Sequence, residues 1–129
     1  MAERHIRFTF PRRVRIRRRR DFQRVFDRKL RASDRWITLY GCRGDAAHAR
    51  LGIVVGRSVG NAVRRNRRKR LVREAFRHLG HELPAGTDWI IVLRAGPEPA
   101  VEQLQDSIRG LARRLLERMN HGALETRRE

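Results

Sequence analysis

Arg64, Arg65, Arg67, Arg68, Lys69 and Arg70 surround Asn66, placing six cations within seven residues. The chemistry open to such a run is neutralisation of a polyanion. Its position is unusual, because it opens a predicted helix whose aligned peptide dipoles already place about half a positive charge at that end. A phosphate backbone compensates both charges and also accepts hydrogen bonds from the free helix N–H groups. The plainer reading of a charge run is a solvated face or a localisation signal. Attachment of this run to an apolar helical stripe favours phosphate binding.

A second set of residues offers stacking chemistry. Phe22 and Phe26 lie one helical turn apart between Arg24 and Arg28, and Tyr40 sits on one face of a predicted strand. Exposed rings among cations suit single-stranded nucleic acid, with stacking worth about 1–3 kcal/mol per base and tolerant of sequence. Periodicity alone assigns the two phenylalanines equally to core or groove.

Side-chain catalysis finds little support. The 14 acids are scattered singly, as Asp21, Asp27, Asp34, Asp45 and Glu74 illustrate, and no cluster suits a two-metal nuclease. His78 and His81 flank Gly80 without further ligands, so surface histidines are expected there instead of zinc. Cys42 has no histidine at suggestive spacing and reads as a small strand residue. Gly56 and Gly60 do not match a phosphate-cradling loop.

These residues require elements to position them. Leu71, Val72, Ala75, Phe76 and Leu79 recur at helical spacing, which predicts a helix over about 62–79. Asn61 is its expected N-cap and Gly80 its expected left-handed stop. Arg64, Arg65 and Arg68 project onto the same stripe as the apolar residues, so the helix is half core and half cationic prong. Asp21 is the expected N-cap of a short helix carrying Phe22, Val25 and Phe26. Trp36 to Cys42 alternates, with Ile37 and Leu39 facing the core and Trp36, Thr38 and Tyr40 facing a possible groove. Leu51 to Val55 reads as a strand in which Gly52 and Gly56 leave room for close approach. Trp89 to Leu93 is a short apolar strand, and Pro99 suits the first turn of a last helix buried through Val101, Leu104, Ile108, Leu111, Leu115 and Met119. Val14 and Ile16 suggest a short edge strand. The order helix, strand, strand, helix, strand, helix predicts a small sheet with helices mainly on one face.

Composition sets the class. The 129 residues make one domain, 1–129, whose charge favours a nucleic-acid partner, with a basic arm over 1–13 that includes Phe8, Phe10 and Pro11 and a charged tail over 122–129 expected to fray. The formal net charge is +18, and of 32 basic residues only Lys29 and Lys69 are lysines, the rest being arginine. Arginine's planar fork matches phosphate and stacks on bases, although codon bias in a GC-rich genome accounts equally well for arginine over lysine. One cysteine excludes an internal disulfide and fits a reducing, cytoplasmic setting. No run approaches the roughly 18 apolar residues of a membrane span, so no membrane partner is expected. The Arg-rich first residues lack serine and do not form an amphipathic pattern, so a cleaved targeting segment is not expected.

The residues Gly60, Asn61, Ala62, Val63, then Arg65, Asn66, Arg67, then Lys69, Arg70, Leu71, with Arg73 to Arg77 following, resemble the signature of the bacterial ribonuclease P protein family. Asp21 to Phe26 matches that family's first helix, Leu39 with Tyr40 its first long strand, and Asp88 to Arg94 the strand after the hallmark helix. The resemblance implies an α/β fold, specifically an α+β two-layer sandwich of the ribosomal-protein type with a small central sheet and a left-handed βαβ crossover. The general rule is right-handed. It also implies an accessory to a catalytic RNA that removes the 5′ leader of precursor tRNA, with Mg2+ bound mainly by the RNA and no further protein partner required. Carried onto matching positions, Arg65, Asn66, Arg67, Lys69, Arg70 and Arg73 meet the catalytic RNA. Phe22, Phe26, Tyr40 and Asn61 line or border the leader groove. Catalytic side chains are not expected, and metal-binding residues are left open. Ser58, Arg64 and Arg68 depart from the family pattern, and Arg68 falls on the packing stripe. There it either snorkels along the core edge or the helix rotates. The competing reading is a structural RNA-binding protein of the ribosome. A metal-dependent nuclease acting alone lacks a carboxylate cluster, and a DNA-binding regulator lacks a helix-turn-helix pair.

Overall fold

A computed structural model describes the backbone over residues 14–128 and side chains over 14–120. The basic arm at 1–13 lies outside the described residues. In chain order the elements are α1 (Arg19–Asp27), β1 (Arg31–Ser33), β2 (Ile37–Arg43), β3 (Arg50–Val55), α2 (Ala62–Leu79), β4 (Thr87–Leu93) and α3 (Val101–Arg128). The sheet order is β1-β2-β4-β3, with β1 and β2 antiparallel, β2 and β4 antiparallel, and β3 and β4 parallel. The mixed α/β architecture is the expected class. The α2 helix forms the crossover between the two parallel strands.

Alternation in the strands sorts the sheet into two faces. On one face Ile37, Leu39, Leu51, Trp89, Ile91 and Leu93 pack against Val72, Phe76 and Leu79 of α2 and Leu104, Ile108 and Leu115 of α3. The apolar stripes of both long helices are therefore those read from their spacing. Unexpectedly, α1 covers part of the other face, where Val25 is buried with Cys42, Ile90 and Ile16.

Several local expectations are corrected. Asp21 does not cap α1; the N-cap position belongs to Arg18, which makes no side-chain cap bond, and Asp21 sits in the first turn. Gly80 is right-handed at φ −57, and the chain continues into a 3₁₀ turn over Gly80–Glu82. A Cβ at Gly80 would stand 3.1 Å from the Phe76 ring, so the glycine admits that ring and does not reverse the helix. Pro99 precedes the last helix: Ala100 accepts from Leu104 N, and Gln103 accepts from Ala100 N at 2.8 Å. The tail does not leave the helix at Gly122, since α3 runs to Arg128. Val14 and Ile16 make no strand, only an isolated parallel bridge of Arg15 to Leu51. Trp36 joins the edge of the main core and not the groove. The short strand β1 is absent from the sequence reading. It lacks an apolar run and is held by pairing with β2.

Candidate nucleic-acid interface

The α1 helix creates the site by the way it crosses the sheet. Phe22 lies directly on Gly52, where a Cβ would meet its ring at 2.7 Å, so only glycine permits this approach. Gly56, the other glycine assigned to close approach, faces nothing nearer than Ser58 Oγ at 3.9 Å. Phe22 and Phe26 have ring centroids 6.5 Å apart with planes inclined by 30°, and Phe26 meets Tyr40 edge-on at 4.8 Å. All three rings are half-buried. Phe22 and Phe26 therefore pack partly into the secondary core and leave part of each ring open.

Two depressions flank these rings. Phe26 and Tyr40 line one of about 340 Å³ with Lys29 and Arg31, whose Nη1 donates to the Tyr40 hydroxyl at 3.2 Å. Lys29 enters this wall because it takes a left-handed φ of 57, ending α1 without glycine. Phe22 lines the other, of about 210 Å³, together with Arg15, Lys69 and Arg73. The structure thus brings Phe22 beside Lys69 and Arg73 of the cationic helix, whereas Phe26 and Tyr40 line a depression that contains no residue of that helix. Lys29, Arg31 and Arg15 were missed because their positions depend on the turn after α1 and the bridge to β3.

Asp88 fixes the seat of α1. Its carboxylate is fully buried, accepting from Arg50 Nε at 2.9 Å, from Arg50 Nη2 at 2.8 Å and from Arg24 Nη2. Arg24 Nη1 also donates to the Arg43 carbonyl at 2.9 Å and reaches Cys42 Sγ at 3.2 Å. Burial opposes the charged carboxylate, but the hydrogen bonds and charges of Arg50 and Arg24 outweigh it and hold Asp88 below the usual carboxylate range. Burial pushes the Cys42 thiol up, as suits a small strand residue. The sequence placed Asp88 at the start of a strand but gave no sign of its ion pairs, because its partners come from α1 and β3.

Asn61 caps α2 as expected, its Oδ1 accepting from Arg64 N at 3.0 Å. It borders neither depression beside the aromatic rings. The cations of α2 divide into two groups. Arg68 is only 7% exposed; its Nη2 donates to the Gly96 carbonyl at 2.7 Å and its Nε lies 4.0 Å from Glu98. Neither snorkelling into solvent nor helix rotation describes it, since the loop before α3 folds over its head. Arg67 Nε donates to Glu98 Oε1 at 2.7 Å while most of its side chain stays exposed.

Farther along α2, Arg77 Nη2 donates to Glu74 Oε1 at 2.5 Å, whereas Arg64, Arg65, Lys69, Arg70 and Arg73 meet no acid among the described residues. Arg70 is exposed, Arg65, Lys69 and Arg73 are half-buried, and the Nε atoms of Arg65 and Arg73 are buried without a hydrogen-bond partner. Burial, followed by the charges of Arg15 and Arg70, lowers the Arg73 pKa. That mutual repulsion favours an incoming polyanion. Asn66 is exposed and makes no side-chain hydrogen bond to any described residue. No group of three or more histidines, cysteines or acids stands in metal-binding arrangement among the described residues. No helix among them is long and apolar enough to cross a membrane.

The family model described as Ribonuclease P matches residues 10–116. The ribonuclease P protein component of Xanthomonas oryzae pv. oryzae is 44% identical over 107 residues, covering 81% of this chain and 72% of that protein. The corresponding component of Brevibacillus brevis is 38% identical over 96 residues, covering 73% and 76%. Among solved structures, the RNase P protein of Staphylococcus aureus superposes with a TM-score of 0.68 at 32% identity, covering 78% of this chain and 93% of that one. That of Thermotoga maritima gives a TM-score of 0.68 at 30% identity, covering 77% and 96%.

Proposed function

The chain belongs to the ribonuclease P protein family, and on that premise we propose that it binds a catalytic RNA and the 5′ leader of precursor tRNA, promoting endonucleolytic removal of the leader. The observation that carries this reading is the single depression shared by Phe22, Lys69 and Arg73. A stacking ring and phosphate-binding cations on one wall suit a single strand running beside a larger RNA.

In this reading α2 is the docking helix for the catalytic RNA. Arg65, Lys69, Arg70 and Arg73 supply charges that no described acid neutralises, and Arg67 shares its guanidinium with Glu98. The leader lies along the aromatic flank of α1, its bases on Phe22, Phe26 and Tyr40 and its phosphates toward Arg31, Lys29 and Arg15. Asn61 acts indirectly, fixing the first turn of α2. The protein contributes binding energy and positioning. Magnesium held mainly by the RNA would supply the Lewis-acid chemistry for phosphodiester hydrolysis. Discrimination follows from geometry, because mature tRNA lacks the strand that fills the groove. The proposed place of action is the cytoplasm.

Reconstitution with catalytic RNA and precursor tRNA tests the groove. Phe22→Ala is expected to raise KM for a long-leader precursor by about five- to a hundredfold, the equivalent of one lost stack. A single-nucleotide leader should be processed as before. Equal effects on both substrates would remove Phe22 from the leader path.

A further inference from the structure

On the flank of α1 away from the aromatic rings lies a larger basin of about 710 Å³, lined by eight arginines and two aspartates. Strand register explains the separation. Tyr40, Ile90 and Gly52 form one row beneath α1, and the next row along the sheet is Cys42, Asp88 and Arg50. The basin therefore begins where Asp88 holds Arg24 and Arg50, and the helix stands between it and the rings.

We propose that this basin is a second RNA-binding site, which takes the sugar-phosphate backbone of the catalytic RNA. The proposal rests on the RNA-subunit reading above. Three features identify the occupant. Charge comes first: Arg17, Arg18, Arg20 and Arg28 are exposed and meet no acid among the described residues, whereas Arg24 and Arg50 are already oriented by Asp88. The floor is rigid, since a Cβ at Gly44 would stand 2.5 Å from Asp88 Oδ2. Second, no aromatic side chain lines the basin, so it offers phosphates a site and bases nothing to stack on. That pattern fits a folded RNA presenting its backbone better than an unpaired leader. Third, Arg15 and Arg17 line both this basin and the depression shared with Lys69 and Arg73. A cationic track thus runs from α2 around the β3 edge into the basin, and the molecule docked on α2 is the one placed to follow it.

Arg18, Arg20 and Arg28 line this basin and neither depression beside the rings. Replacing these three together by Gln tests the assignment in the reconstituted ribonucleoprotein, with Arg65→Gln/Arg70→Gln on α2 measured in parallel. The triple variant should bind the catalytic RNA at least tenfold more weakly at low salt. Its salt slope should be smaller by about two to three units, one per lost phosphate contact. Its preference for long over single-nucleotide leaders should be unchanged, and the matching triple Lys variant should recover most of the affinity. An unchanged affinity and slope for the triple Gln variant, with the α2 variant impaired, would overturn the second site alone. Loss of leader preference with normal RNA affinity would overturn the assignment to the catalytic RNA. Unchanged binding by both Gln variants would overturn the RNA-subunit reading itself.

Discussion

Asp88 shows how one residue governs both fold and site. Its carboxylate ties α1, through Arg24, to β3, through Arg50, and so sets where Phe22 and Phe26 lie. Removing one partner from a buried ion pair typically costs about 3–5 kcal/mol. Because Arg24 and Arg50 are partly exposed and keep some hydration, Asp88→Asn should cost about 3 kcal/mol, the lower end of that range. Urea denaturation at neutral pH measures it. The pH dependence has a definite sign. Asp88 titrates lower in the folded state than in the unfolded chain, so its contribution is complete above the unfolded value and is lost as pH falls through the folded one. The acid limb of the stability curve should therefore flatten in Asp88→Asn. A variant with the parent's acid limb would show that Asp88 does not drive acid unfolding.

At the scale of the element, α2 combines a core stripe with a repelled first turn. Buried Val72, Ala75, Phe76 and Leu79 anchor its second half, while Asn61 supplies the capping oxygen at the start. Asn61→Ala should lower stability by about 1 kcal/mol. Asn61→Asp should match or exceed the parent, because a carboxylate there both caps and offsets the dipole and its neighbouring cations. Equal stability of all three proteins would mean that the cap contributes nothing. The cation run was legible as a charged prong on a core helix, but its internal accounting was not. Glu98 lies 31 residues from Arg67, and only the loop before α3 brings them together.

For the whole molecule, the formal net charge of +18 has opposite consequences for folding and for assembly. Self-repulsion destabilises the compact state, and added salt screens it. The protein alone should therefore show a Tm that rises as monovalent salt increases from low to physiological concentration, whereas its affinity for RNA falls over the same range. Scanning calorimetry and filter binding on one preparation measure both trends. A Tm that falls with salt would place the cations in internal ion pairs and leave few for a polyanion. The acids found in the structure predict the first pattern, since Asp88 and Glu98 compensate only Arg24, Arg50, Arg67 and Arg68 among the arginines around the proposed sites.

The sequence by itself determined the helix stripes, the parity of β2, the capping of α2 and the cationic prong. Each is a local regularity of spacing or residue type, expressed within a few positions. Tertiary structure alone decided that α1 crosses the second face of the sheet, that Gly52 receives Phe22, that Arg68 is covered, and that a cationic basin opens behind Asp88. Those outcomes depend on contacts between residues far apart in the chain. Their side chains carry no periodic signal that they will meet, and only the strand order brings β3 and β4 together beneath α1.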